Sequence, residues 1–174
     1  MASIGHVLVG AAASKAYRTG QRAVWSPLGA AVLWSGLSLL PDVDVVGFRF
    51  GVRYADPWGH RGATHSFAFA LGVAALVWFV AKSARLPAWR AALVGAAVVA
   101  SHALLDTMTD GGLGCALFWP FSNRRFFAPW RPIPVAPIGR AFLSGRGLRI
   151  ALTEVVAMSP FLIYALWPRR KSER

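Results

Sequence analysis

The chain has 174 residues, enough for one domain, of which 56% are hydrophobic and only 15% charged. The apolar residues gather in long blocks, which excludes an ordinary soluble globular protein and points to a polytopic membrane protein. The formal charge of +12 comes from basic residues in short runs between those blocks. That is the pattern of anchors facing lipid headgroups, and it argues against nucleic acid as a partner.

Five apolar segments follow in chain order. The first, Met1 to Ser14, is short and rich in Ala and Gly. Its first basic residue is Lys15, so the basic start of a signal peptide is missing and the segment is expected to be retained. The second, Ala23 to Leu40, and the third, Thr64 to Ala81, each run eighteen residues without Asp, Glu, Lys or Arg. Such a length spans about 27 Å as a helix, close to the hydrocarbon thickness of a bilayer. Pro41 is expected to end the second segment, and Thr64 is the expected N-cap of the third. The fourth, Ala91 to Leu105, contains His102. The fifth, Ile150 to Trp167, contains Glu154 and leads into a basic tail with Arg169, Arg170, Lys171 and Arg174.

Between the last two segments, residues 107–149 form a long loop rich in Pro, Gly and aromatic residues, Trp119 and Trp130 among them. Its rings suit a membrane interface. The single cysteine, Cys115, excludes an internal disulfide. The expected fold is an all-α membrane bundle with four to five transmembrane helices and a long interfacial loop. It forms one domain over 1–174, with a core over 1–125, the loop, and a last helix with its tail over 150–174. Helices one with two, and three with four, are expected to form two similar hairpins.

Threading the segments alternately across a bilayer brings all four histidines and all five aspartates to one side. Ionisable groups near membrane depth need partners, and a metal ion would satisfy several together. His102 and Asp106 stand four apart on one helix face and can share a ligand, although a hydrogen-bonded pair within a helix has the same spacing. Asp42 and Asp44, read as an extended stretch, would face the same way, and two close carboxylates repel unless a cation relieves them. Around His60 to Ser66, Arg61 offers a planar fork for anions, and Thr64 and Ser66 lie at a helix start that favours negative charge. Arg124 and Arg125 are candidate contacts for a substrate anion or a lipid headgroup. Histidine and carboxylate donors without cysteine suit zinc, with manganese or iron as alternatives.

In order, His6, the Pro41-Asp42-Val43-Asp44 stretch, the His60-Arg61-Gly62-Ala63-Thr64-His65-Ser66 string, and His102 with Asp106 through Gly111-Gly112 resemble the YdjM-type family. These are bacterial inner-membrane proteins regarded as metal-dependent hydrolases, and some carry the label of LexA-binding proteins. The resemblance covers Met1 to Arg125, and a more distant one reaches zinc-dependent phospholipase C. It implies metal ligands at His6, Asp42, His65, His102 and Asp106. The expected function is hydrolysis of a phosphoester in a lipid or lipid-linked substrate. His60 or Asp44 would move protons, and Arg61 would stabilise negative charge. A metal or proton transporter and a membrane adaptor recruiting a cytoplasmic regulator protein are the other classes. Basic residues are densest in the short loops opposite the His/Asp side. This places the tail in the cytoplasm and the site toward the periplasm or exterior.

Overall fold

A computed structural model describes residues 3–18 and 25–168. Arg22 and the tail residues Arg169, Arg170, Lys171, Glu173 and Arg174 lie outside the described residues. The elements are α1 (Ser3–Arg18), α2 (Pro27–Leu39), α3 (Phe67–Ser83), α4 (Ala88–Thr107), α5 (Gly145–Ala157) and α6 (Ser159–Leu166). Three 3₁₀ stretches join them: Leu40–Phe50, Ala63–His65 and Gly139–Leu143. Among the described residues there is no β-strand, only the isolated bridges Thr109–Ile133 and Cys115–Phe126. The all-helical expectation holds.

The two expected hairpins form. α1 packs along α2, α3 along α4, and α2 joins the pairs by crossing α4. α6 returns to lie on α1. Inside, the contact residues are small: Ala12, Ala30, Ala70, Ala74, Ala91 and Ala103 are all buried. Outside, large apolar side chains face away from the protein: Val32, Leu71, Leu76, Phe79 and Leu93 are each more than 60% exposed. This inversion suits lipid, where close backbone approach holds helices together and apolar surface needs no covering.

Two helical stretches are long and apolar enough to cross a membrane: Pro27–Phe50, of 24 residues, and Ala88–Thr107, of 20. The α5–α6 pair, bent by 63°, makes a third if counted as one span. That is two to three candidates where the sequence suggests four to five. The shortfall has local causes. Thr64 is not the cap of the third helix, because Ser66 takes that place by accepting a hydrogen bond from the Phe69 N–H at 3.0 Å. Residues 63–65 are thereby diverted into a tight turn, and α3 keeps 17 residues. The fifth segment breaks at Met158–Ser159, because Pro160 in the first turn of α6 cannot donate a helical hydrogen bond. Pro41 ends the α-helix at Leu39 as expected, but the chain continues as a 3₁₀ helix to Phe50, since proline is well accommodated at a helix start.

The α1–α2 contact is closest at Gly10. A Cβ there would lie 2.5 Å from Ser35 Cα and 2.7 Å from the Trp34 carbonyl oxygen. The Ser35 hydroxyl donates to the Val7 carbonyl at 3.0 Å beside it. Gly10→Val should therefore cost about 1–3 kcal/mol, seen as a lower melting temperature in detergent. Gly36→Ala, where a Cβ meets nothing within 4 Å, should leave melting unchanged or slightly raised.

Candidate metal centre

Four chain segments meet at one end of the bundle. α1 brings His6, the 3₁₀ helix after α2 brings Asp42 and Asp44, the turn before α3 brings His60, Arg61 and His65, and the end of α4 brings His102 and Asp106. His6, His65 and His102 are fully buried, and Asp106 is 1% exposed.

The inner cluster is formed by Asp42, His65, His102 and Asp106, each with one donor atom within 4.8 Å of all the others, so together they can hold a metal ion. His102 Nε2 lies 3.4 Å from Asp42 Oδ1, and His65 Nε2 lies 3.7 Å from the same oxygen. Asp106 Oδ2 is 3.6 Å from His65 Nε2 and 3.9 Å from His102 Nε2. The His102–Asp106 spacing on one helix face thus does bring both groups to the same centre.

Hydrogen-bond partners fix the tautomers. His102 Nδ1 is 2.6 Å from the Ser38 carbonyl oxygen, which can only accept, so Nδ1 carries the proton. His65 Nδ1 lies 3.1 Å from the Thr64 hydroxyl, whose own proton goes to Asp44, and 3.2 Å from Asp44 Oδ2, so it too carries the proton. The Nε2 lone pairs of both rings then point at each other across 3.1 Å. Two lone pairs repel at that distance unless a cation or a proton lies between them. Imidazoles held through Nδ1 by a carbonyl or a carboxylate, with Nε2 free, are the arrangement of metal-binding histidines. His6 adds to the case. Its ring stacks on His102 with centroids 3.6 Å apart, and both its buried nitrogens lack a hydrogen-bond partner. His6 Nε2 approaches Asp106 Oδ1 at 3.5 Å. The residues present fit a divalent ion.

Asp44 organises the surroundings. Its Oδ1 accepts from His60 Nδ1 at 2.8 Å. Its Oδ2 accepts from the Thr64 hydroxyl at 2.7 Å and the Arg61 N–H at 3.1 Å. Asp42 and Asp44 do not lie on an extended segment facing one way. The 3₁₀ helix turns Asp42 toward His65 and His102, and Asp44 toward His60, Thr64 and the Arg61 backbone.

Several expected anion contacts are committed elsewhere. The Arg61 side chain is only 2% exposed. Its Nη1 donates to the Thr109 hydroxyl at 2.8 Å and to the Gly111 carbonyl at 3.0 Å. Its Nε lies 3.1 Å from Asp106 Oδ2. Burial opposes the charge on Arg61, but Asp106, Tyr54, Cys115 and Asp42 together outweigh it and raise the guanidinium above its ordinary range. Thr64 serves Asp44, and Ser66 serves as the α3 cap. Arg125 donates to the carbonyls of His60, Tyr54 and Asp56, and Arg124 lies over the Phe126 ring.

Arg61 also holds a left-handed backbone with φ +65°, which is costly for a non-glycine residue. A hydrogen bond from the Ala116 N–H to its carbonyl secures it, and Gly62 behind it has no room for a Cβ, which would lie 2.2 Å from the Pro57 carbonyl. Thr109, the Ser38 carbonyl and Tyr54 escape a sequence reading, because nothing in their spacing marks them. Glu154 is fully buried and accepts from the Gly5 N–H at 3.0 Å, beside His6. Asp110 is turned away and accepts from the Val135 N–H.

Beside the cluster lies a cavity of about 340 Å³. Asp42, Tyr54, His60 and Arg61 form its polar side, and Val45, Val135, Pro137, Ile138 and Phe142 its apolar side.

A family model described as YdjM inner membrane protein matches residues 1–171. The chain belongs to the YdjM family of inner membrane proteins. It is 39% identical over 140 residues to the inner membrane protein YbcI of Escherichia coli (strain K12), across 78% of this chain and 81% of that relative. No solved structure matches.

Since Asp44 fixes His60 and His65 together, Asp44→Asn should weaken metal uptake about 10- to 100-fold without displacing the inner ligands. Metal titration of chelator-stripped, detergent-solubilised protein would measure this, and an unchanged affinity would remove the orienting role.

Proposed function

We propose that this chain is a membrane-embedded, metal-dependent hydrolase acting on a phosphoester of a lipid or lipid-linked substrate. The observation that carries this reading is the pair of Nε2 lone pairs of His65 and His102, converging with Asp42 and Asp106 beside a cavity that is polar on one side and apolar on the other. Asp42, His65, His102 and Asp106 would hold the ion, with His6 as a further donor. Zinc is the first choice for this nitrogen and oxygen set, and manganese or iron the alternatives. When bound, the ion supplies Lewis acidity and an acidified water.

The chain's own residues supply the rest. His60 lines the cavity, and its Nδ1–H is held by Asp44, so its Nε2 is the atom that would take or give a proton. Asp44, with both oxygens engaged, acts by positioning His60 and His65 rather than by touching substrate. The apolar wall formed by Val135, Pro137, Ile138 and Phe142 suits the hydrocarbon part of an amphiphile, while the polar wall meets its headgroup. A transporter would instead need a polar path along the bundle. Two other cavities, one between α1, α4 and α6 and one formed mainly by α2 and α3, are lined chiefly by Val, Ala, Leu and aromatic residues.

In this reading α1, α2 with its 3₁₀ extension, α3, α4 and the bent α5–α6 pair all cross the bilayer, with the site toward the periplasm. A reporter fused to the C-terminus should show the phenotype of a cytoplasmic location, and a periplasmic signal would invert the orientation.

The enzymatic reading is tested with zinc-loaded protein, an anionic phospholipid in mixed micelles and a chromogenic phosphodiester. His65→Ala and Asp106→Asn should lose hydrolysis by about 100-fold or more, together with bound metal. His60→Gln should lose hydrolysis to a similar degree while keeping its metal. Wild-type protein that holds metal and cleaves neither substrate would count against the hydrolase; variants that keep full activity would count against the site.

A further inference from the structure

We infer that the centre takes one divalent ion per chain, because donors for a second are not gathered and the buried guanidinium of Arg61 already supplies positive charge beside Asp106. The inference rests on the metal-binding reading above and concerns the number of ions and the role of Arg61.

Donor supply is the first argument. A two-ion centre needs a carboxylate that gives one oxygen to each ion, with further donors on both sides. Asp106 is placed to do so, since its Oδ2 faces His65 and His102 and its Oδ1 faces His6. On the His6 side, among the described residues, no set of three or more His, Cys, Asp or Glu donors is gathered. The other gathered set, Asp44 with His60 and His65, is engaged within itself: Asp44 accepts from His60 Nδ1, the Thr64 hydroxyl and the Arg61 N–H, and lies 3.2 Å from His65 Nδ1.

Charge is the second argument. Arg61 offsets part of the negative charge of Asp42, Asp44 and Asp106, so less is left to hold a second divalent ion in a region that solvates charge poorly.

Geometry is the third. Arg61 Nε lies 3.1 Å from Asp106 Oδ2, the same oxygen that faces the two imidazole Nε2 atoms. The N–H is not aimed along this contact, which is electrostatic rather than a well-formed hydrogen bond. Thr109 and Gly111 hold the other arm of the guanidinium, and the left-handed backbone sets its entry. The charge is fixed in place and is not available as a loose contact for substrate.

The test uses the full chain in detergent, stripped with chelator and reloaded with zinc alone. Elemental analysis and titration calorimetry should both give one equivalent per chain, with no substrate present. Two equivalents would overturn the inference while leaving the hydrolase reading intact; none would overturn both. Arg61→Met, which removes the charge, should hold its zinc at least about tenfold more tightly against a competing chelator, because attraction for the ion is no longer offset. Arg61→Lys should return the affinity toward wild type. An Arg61→Met protein that melts like wild type and binds zinc no more tightly would overturn the inference. Should that variant fail to fold, the wild-type stoichiometry still decides.

Discussion

The Asp106 carboxylate, buried at the end of α4, is the constraint around which this end of the protein is built. A charge removed from water must find its solvation in the protein. Here it is met by an arginine on one oxygen, by His6 on the other, and by the edges of two further imidazoles. Those partners come from α1, from the turn before α3 and from α4 itself. Satisfying one carboxylate therefore ties both helical hairpins together at the same point. The helices below are held by small residues in close contact, which fix distance well but carry no chemical direction. Direction comes from the polar end.

Two neighbouring aspartates divide the remaining work because of the helix type they sit on. In a 3₁₀ helix, with three residues per turn, positions two apart point in different directions. Asp42 meets His65 and His102, and Asp44 meets His60, the other face of His65 and the backbone of Arg61. Had the stretch been extended, both carboxylates would have crowded one side. The 3₁₀ form lets one carboxylate offer itself to a cation while the other orients the rings around it. The tautomers of His65 and His102 follow from that orientation and from one backbone carbonyl, at Ser38. Burying an imidazole with its Nδ1 already committed leaves only Nε2 for function, and that explains why such a polar cluster can be fully enclosed without losing its reactive face.

Much of this was legible in the sequence because it is periodic or segregated. The apolar blocks, the i, i+4 pair His102–Asp106 and the collection of histidines and aspartates on one side all follow from helix geometry and from the cost of charge in a membrane. Partners are harder to read than positions. Thr64 and Arg61 carry donors suited to anions, and neither spacing nor composition shows that a buried carboxylate of the chain itself reaches them. Thr64 donates to Asp44, and Arg61 lies against Asp106. Ser66 rather than Thr64 caps α3 because one residue of register decides which hydroxyl can reach the Phe69 N–H. The break at Met158 was visible as Pro160, yet hydropathy alone carried the segment through it.

The most informative residue for the whole architecture lies outside the stretch that carries the motifs. Glu154 is a fully buried acid in α5, far along the chain from every histidine. Its Oε2 accepts the Gly5 N–H, one of the free donors in the first turn of α1, and a carboxylate at a helix N-terminus is favoured by both hydrogen bonding and the helix dipole. The residue after Gly5 is His6, whose ring stacks on His102. The last helical pair thus sets the height at which α1 presents its histidine to the centre. This gives a physical reason for the family match to continue to residue 171, well past the last motif at Gly112. A shorter chain ending after Arg125 would retain every proposed ligand, but it would lose the acid that holds the first of them in place.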